Sequence, residues 1–163
     1  MRKPWWAGGL FLAVTVLAAG LVWFKPWALW LDETVTEELP SAGATLLPTV
    51  AQGTFTSHEH ATTGTARIVR LADGSHTLRL EGLDTSNGPD LRAWLSDAPV
   101  KEGVAGWRVF DDGKYLNLAK LKGNKGDQNY PLPTELNWST YTSVSIWCDR
   151  FNVSFGAAHL QRP

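Results

Sequence analysis

The chain has 163 residues with 15 basic and 16 acidic side chains, a formal net charge of -1. That balance supplies neither the basic footprint of a nucleic-acid binder nor an acidic tail for a cationic partner. A single cysteine, Cys148, excludes an intrachain disulfide framework and a structural zinc site built from several cysteines.

The first segment, "MRKPWWAGGLFLAVTVLAAGLVWFKPWALWLDE", predicts a membrane helix. Trp5 to Phe24 is uncharged and predominantly apolar, about the 20 residues that cross a bilayer as a helix. Arg2 and Lys3 precede it, and Asp32, Glu33, Glu37 and Glu38 follow it. The positive-inside rule then leaves the short N-terminus in the cytoplasm and exports the rest. Trp5 and Trp6 at one end, and Trp23, Trp27 and Trp30 at the other, match interfacial aromatic belts. A cleaved signal peptide is the competing reading, with small residues at Ala18–Gly20. The apolar run continuing through Leu21, Val22, Trp23 and Phe24 favours a retained signal anchor over residues 1–25. Pro26 suits the first turn of a short juxtamembrane helix reaching about Leu39. Pro40 to Gly53 reads as a tether, so 26–51 is a juxtamembrane segment and linker.

From residue 52 to 163 the pattern is that of short strands. "TARIVRL" puts Ala66 and Ile68 on one face, and "HTLRLEGL" puts Leu78 and Leu80 on one face. "ADG", Ala72 to Gly74, is the turn between them. "DLRAWLS" aligns Leu91, Ala93 and Leu95, and "YLNLAKL" aligns Leu116 and Leu118. "SVSIWC" aligns Val144, Ile146 and Cys148, with Trp147 opposite. "FNVSF" aligns Phe151, Val153 and Phe155. No helical stripe appears after residue 50. The expectation is an all-β domain, a β-sandwich or barrel-like body, after one N-terminal transmembrane helix.

The period-two count places Cys148 inward, where a small apolar thiol is ordinary packing. A working thiol is the alternative; Asp149 would raise its pKa and Arg150 would lower it. His58 and His60 of "SHEH" share a face if the segment is a strand, but two histidines are an incomplete metal site. A histidine and a cysteine can also ligate haem axially. The chain lacks CxxCH, which excludes standard covalent c-type attachment. "DTSNGPD", Asp84 to Asp90, lacks full EF-hand spacing and reads as a turn set by Asn87, Gly88 and Pro89. "GNKGDQNY", Gly123 to Tyr130, is not a phosphate loop. Asn137 and Asn152 stand in glycosylation sequons.

Four stretches taken together resemble the DM-thirteen electron-transfer domain, which occurs alone and beside DOMON domains in Skeletor-like proteins. They are "GTFTSHEHATTGTARI" (Gly53–Ile68), "NGPDLRAWLS" (Asn87–Ser96), "LAKLKGNKGDQNYPLP" (Leu118–Pro133) and "SVSIWCDRFNVSFGAAHL" (Ser143–Leu160). The resemblance implies a redox role at the cell surface with the single cysteine as a bare thiol or a cofactor ligand. Carried over residue by residue, it makes Cys148 the redox candidate and His60 a second cofactor ligand, with Asp90, Gln128 and Tyr130 in support. The cofactor is left open between haem, a metal ion and none. The reading is a membrane-anchored extracytoplasmic electron-transfer or accessory domain with a redox partner protein and no nucleic-acid partner. Its alternative is a non-catalytic surface module in which Trp107 and Trp138 contact a glycan or a protein.

Overall fold

The computed structural model describes residues 5–40 and 48–163. Arg2, Lys3 and residues 41–47 of the expected tether lie outside those residues. Helix α1 spans Trp5–Phe24. Among the described residues no helix is long and apolar enough to cross a membrane; the described side chains of α1 begin at Gly8. A single 3-10 turn, Pro26–Trp30, follows α1 where a juxtamembrane helix to about Leu39 was expected.

Among the described residues nine strands form one curled, mostly antiparallel sheet: β1 (Thr34–Thr36), β2 (Thr49–Ser57), β3 (Thr62–Arg70), β4 (His76–Thr85), β5 (Leu91–Ser96), β6 (Tyr115–Lys120), β7 (Lys125–Pro131), β8 (Ser143–Cys148) and β9 (Val153–His159). Their order across the sheet is β1-β7-β4-β3-β2-β9-β8-β5-β6. The expected all-β body is therefore a half-barrel. Strand β2 is its hinge line: Thr49 to Thr54 pair with β3, and Phe55 to Ser57 pair with β9. Gly53 sits at that change of partner, where a Cβ would overlap the carbonyl of His159. Only glycine lets the two backbones approach so closely.

The concave face holds the main core. Ile68, Leu78 and Leu80 from β3 and β4 meet Leu95, Ile146 and Phe155 from β5, β8 and β9. These are the inward positions read from the alternation, and each fully buried aliphatic side chain contributes about 1.5–3 kcal/mol. A second, smaller cluster lies on the convex face. There Trp94, Phe110, Trp147 and Ala157 pack beneath the excursion between β5 and β6. Ser96 Oγ donates to Phe110 O, 2.9 Å, and pins that excursion down. Trp147 does point away from Cys148, yet it is fully buried.

Two elements differ from the sequence reading. Strand β1 arises inside the segment read as a linker and pairs in parallel with β7, Thr34 against Lys125 and Thr36 against Asp127. Gly123 and Gly126 make room, because a Cβ at either would strike the backbone of residues 33 or 35. The acidic residues that flanked the apolar run are then used by the fold. Asp32 pairs with Lys125 at 2.9 Å and Glu37 with Lys122 at 2.7 Å. Strand β7 itself comes from "GNKGDQNYP", a stretch with few of the β-branched and aromatic residues that mark strands. Its inward signal is only Gln128 and Tyr130.

Candidate functional site

Cys148 ends β8, opposite Leu91 of β5 and Val153 of β9. The four residues after it turn the chain into β9. Asn152 completes that turn at φ 53°, a left-handed conformation that asparagine tolerates better than most residues. Asp149 N donates to Asp90 O, 2.9 Å, tying the turn to the loop before β5. The sulfur is fully buried. Burial pushes the Cys148 thiol up; the backbone N–H groups of Phe151, Arg150 and Asp90 oppose that, and the Asp90 charge adds a further upward push, while the Phe151 N–H donates to the Cys148 carbonyl at 3.3 Å. The net direction is up, so the resting group is a neutral thiol at neutral pH.

Asp90 stands beside this turn with 13% of its side chain exposed. Its Oδ2 accepts from Arg92 Nη2 at 3.1 Å. Its Oδ1 is buried without a hydrogen-bond partner, with Lys120 Nζ at 3.8 Å. Arg92 bridges Asp90 and Asp149, the latter at 3.5 Å. The hydrogen bond that Arg92 donates to Asp90 is the main cause that raises the Arg92 pKa. Asp90 lines a cleft of about 240 Å³ together with Lys25, Glu33, Lys120 and Asn124. The end of α1 rests on the same region: Arg150 lies 4.0 Å over the Trp23 ring, and Phe24 stacks on Phe151 at 5.9 Å.

His60 and His58 do not share a face, because β2 ends at Ser57 and the chain bends. His60 packs on Phe155 with ring centroids 4.0 Å apart, and its Nε2 lies 2.6 Å from Glu59. Phe155 in turn abuts Gly88 of the turn carrying Asp90. His60 thus reaches the Asp90 loop through one intervening ring. His58 turns to the convex side, with Nδ1 2.8 Å from Ser154 Oγ and Nε2 3.0 Å from Lys101 O. Ser145 Oγ donates onward to Ser154 Oγ, 2.9 Å. Burial lowers the His58 pKa, and the Lys101 carbonyl partly opposes it.

Gln128 and Tyr130 lie on β7. Gln128 Oε1 accepts from Tyr130 Oη at 2.6 Å, Lys122 N at 3.0 Å and Gly123 N at 3.4 Å. Its Nε2 donates to Gly123 O, 2.8 Å. The Tyr130 hydroxyl also accepts from Lys122 N, 3.1 Å, and burial pushes its pKa up to about 12. These residues hold the β6–β7 loop. Because Gly123 and Asn124 line the Asp90 cleft, they act on that cleft from behind.

A haem held by Cys148 and His60 would need both side chains to face one cavity. The clefts at Asp90, at His159 and at His76 are lined by neither residue. Among the described residues no group of three or more His, Cys, Asp or Glu gathers to hold a metal ion. The residues in this arrangement do not fit such a group. The surface aromatics of the binding-module reading are also engaged. Trp107 packs against the main core, and Trp138 contacts His76 and Arg162.

Three features had weak signals or none in the sequence: Arg92 between two carboxylates, the His58–Ser154–Ser145 chain, and the convex aromatic stack. Ser145 and Trp147 do stand at the outward positions of β8, which was the only hint.

The family profile described as "Electron transfer DM13" matches residues 54–160. The match covers well over half of the chain, which belongs to that electron-transfer domain family and so has a redox-related role. No match was found among curated proteins or among solved structures.

Proposed function

We propose that this domain passes single electrons at Cys148 to or from a partner protein. One observation supports this reading above the others: a fully buried thiol stands at the turn tied to Asp90, whose Oδ1 is buried without a hydrogen-bond partner. With no exposed surface, the sulfur cannot accept a disulfide partner or a bulky oxidant unless the turn opens. An electron needs no such contact. In the forward step the S–H bond of Cys148 breaks. One electron goes to a one-electron acceptor on the partner, the proton goes to Asp90, and a thiyl radical remains. The open Oδ1 of Asp90 is the nearby base with capacity to spare. Return of one electron, with the proton back from Asp90, restores the neutral thiol that burial favours. His60 supports the Asp90 loop through Phe155, and Gln128 and Tyr130 fix the loop lining its cleft.

Oxidation and reduction kinetics against a one-electron mediator test this reading. Cys148→Ala and Cys148→Ser are expected to stay folded and lose the signal. Full redox behaviour in both would remove Cys148 as the centre.

We further propose that α1 anchors the domain on the outer face of a membrane. Trp5–Phe24 carries no charge, and exposed Leu10, Phe11, Leu17 and Val22 form an apolar surface that water disfavours. A tag after Pro163 should be removed by protease added to intact cells or spheroplasts; a protected tag would refute this topology.

A further inference from the structure

The convex face carries a line of aromatic rings that the thiol reading does not use. Tyr115 of β6 stacks on Trp94 of β5 with centroids 4.4 Å apart and planes at 9°. Trp94 stacks on Trp147 of β8 at 4.8 Å and 20°. The line begins at the surface, since Tyr115 is 47% exposed, and runs inward through Trp94 at 4% to Trp147 at 0%. Trp147 is the residue before Cys148, so its inner end joins the strand that bears the thiol. Packing alone accounts for aromatic rings in contact. It does not account for the indole N–H groups of Trp94 and Trp147, which are buried without a hydrogen-bond partner. Buried tryptophans ordinarily find one.

We propose that Tyr115, Trp94 and Trp147 form a single-electron relay between the Cys148 strand and the protein surface, with Tyr115 as the exposed terminus. The proposal rests on the redox reading of Cys148 for its inner electron acceptor. The oxidant at that end is the Cys148 thiyl radical left by a strong one-electron acceptor. One electron moves from Tyr115 through Trp94 and Trp147 to the sulfur. The thiyl becomes a thiolate, which takes back the proton held by Asp90. Tyr115 loses its phenolic proton to water and becomes a neutral tyrosyl radical, while both indoles end unchanged. The unpartnered N–H groups serve this transfer. An indole radical cation is a strong N–H acid, and with no acceptor in reach it keeps its proton and its oxidising power. The hole therefore moves on until the first ring that can shed a proton, which is Tyr115 at the water boundary.

The relay can be tested without relying on Cys148. A ruthenium polypyridyl photo-oxidant is attached to the full-length chain through Asp149→Cys, an exposed position next to the inner end. After flash and quench, transient absorption and electron paramagnetic resonance should record a tryptophan radical followed by a tyrosyl radical. Tyr115→Phe should abolish the tyrosyl signal and prolong the tryptophan radical. Trp94→Phe, with its folding checked by circular dichroism, should also abolish the tyrosyl signal. Absence of a tyrosyl signal in the parent, or its survival in Tyr115→Phe, overturns the relay. So does an unchanged tyrosyl yield in folded Trp94→Phe. The same records in a Cys148→Ala background should be unaltered, because the hole enters from the ruthenium. Failure of the cysteine reading then leaves the relay standing, and failure of the relay leaves the cysteine reading standing.

Discussion

Cys148 at the β8–β9 turn and Gln128 beside the β6–β7 loop are two buried polar groups put to different ends. Both side chains are fully buried. Gln128 is a neutral amide that does not titrate; its Oε1 accepts from two backbone N–H groups, and its hydrogen bonds close on themselves through Gly123. It can only hold the loop. Cys148 can change its charge, so its burial biases a chemical state. A buried polar group becomes a functional feature when it can gain or lose an electron or a proton.

That contrast is open to test. The largest effect should come from Gln128→Leu. It strands the N–H and carbonyl of Gly123 and weakens the hold on Lys122, and each buried unsatisfied group is costly. The loss should be about 2–4 kcal/mol by urea unfolding. A variant as stable as the parent would show that the loop does not depend on the amide.

A smaller loss is expected at the thiol. Cys148→Ala leaves a small cavity and should cost about 1–2 kcal/mol, scaled down from larger core truncations. A serine hydroxyl buried without partners is worse, so Cys148→Ser should unfold below Cys148→Ala. Comparing the two unfolding midpoints decides it: a serine variant at or above the alanine one would mean that the turn supplies its hydroxyl with a partner.

His58 extends the comparison to a group whose charge can change but which the fold keeps neutral. Its folded pKa lies below its unfolded value because of burial, so the unfolded chain takes up a proton first. The stability it supports is present above an unfolded pKa of about 6.5 and is lost as pH falls through and below that value. The unfolding midpoint should therefore drop on acidification, and His58→Gln should flatten the drop. An equal drop in both chains would place the acid sensitivity elsewhere.

Much of the half-barrel was legible in the sequence. Val144, Ile146 and Cys148, or Leu91, Ala93 and Leu95, alternate against polar neighbours because a single face is buried, and a period of two reports that directly. Trp147 was legible in direction but not in burial, since the excursion covering it is held by a backbone contact from Ser96 to Phe110. Strand β7 was missed because its inward residues are Gln128 and Tyr130, whose burial depends on hydrogen bonds formed after folding. Strand β1 was missed because three residues carry no period. Its place is set by the absence of side chains at Gly123 and Gly126, a property of its partner. Of the candidate site, Asp90 and Cys148 come together across β5 and β8. His60 reaches them at one remove, and Gln128 and Tyr130 serve the loop behind the cleft.

The parallel pairing of β1 with β7 has a mechanical consequence. A pull on the chain from its N-terminal side would run along β1. It would load the hydrogen bonds of the Thr34–Thr36 register lengthwise and all together, in shear, whereas a peeling force would break them one at a time. The Asp32–Lys125 and Glu37–Lys122 pairs flank that register like rivets at the ends of a lap joint. Once the contacts of Trp23 and Phe24 with Arg150 and Phe151 have parted, tension arriving at residue 32 is thus taken up at the edge of the sheet by β7.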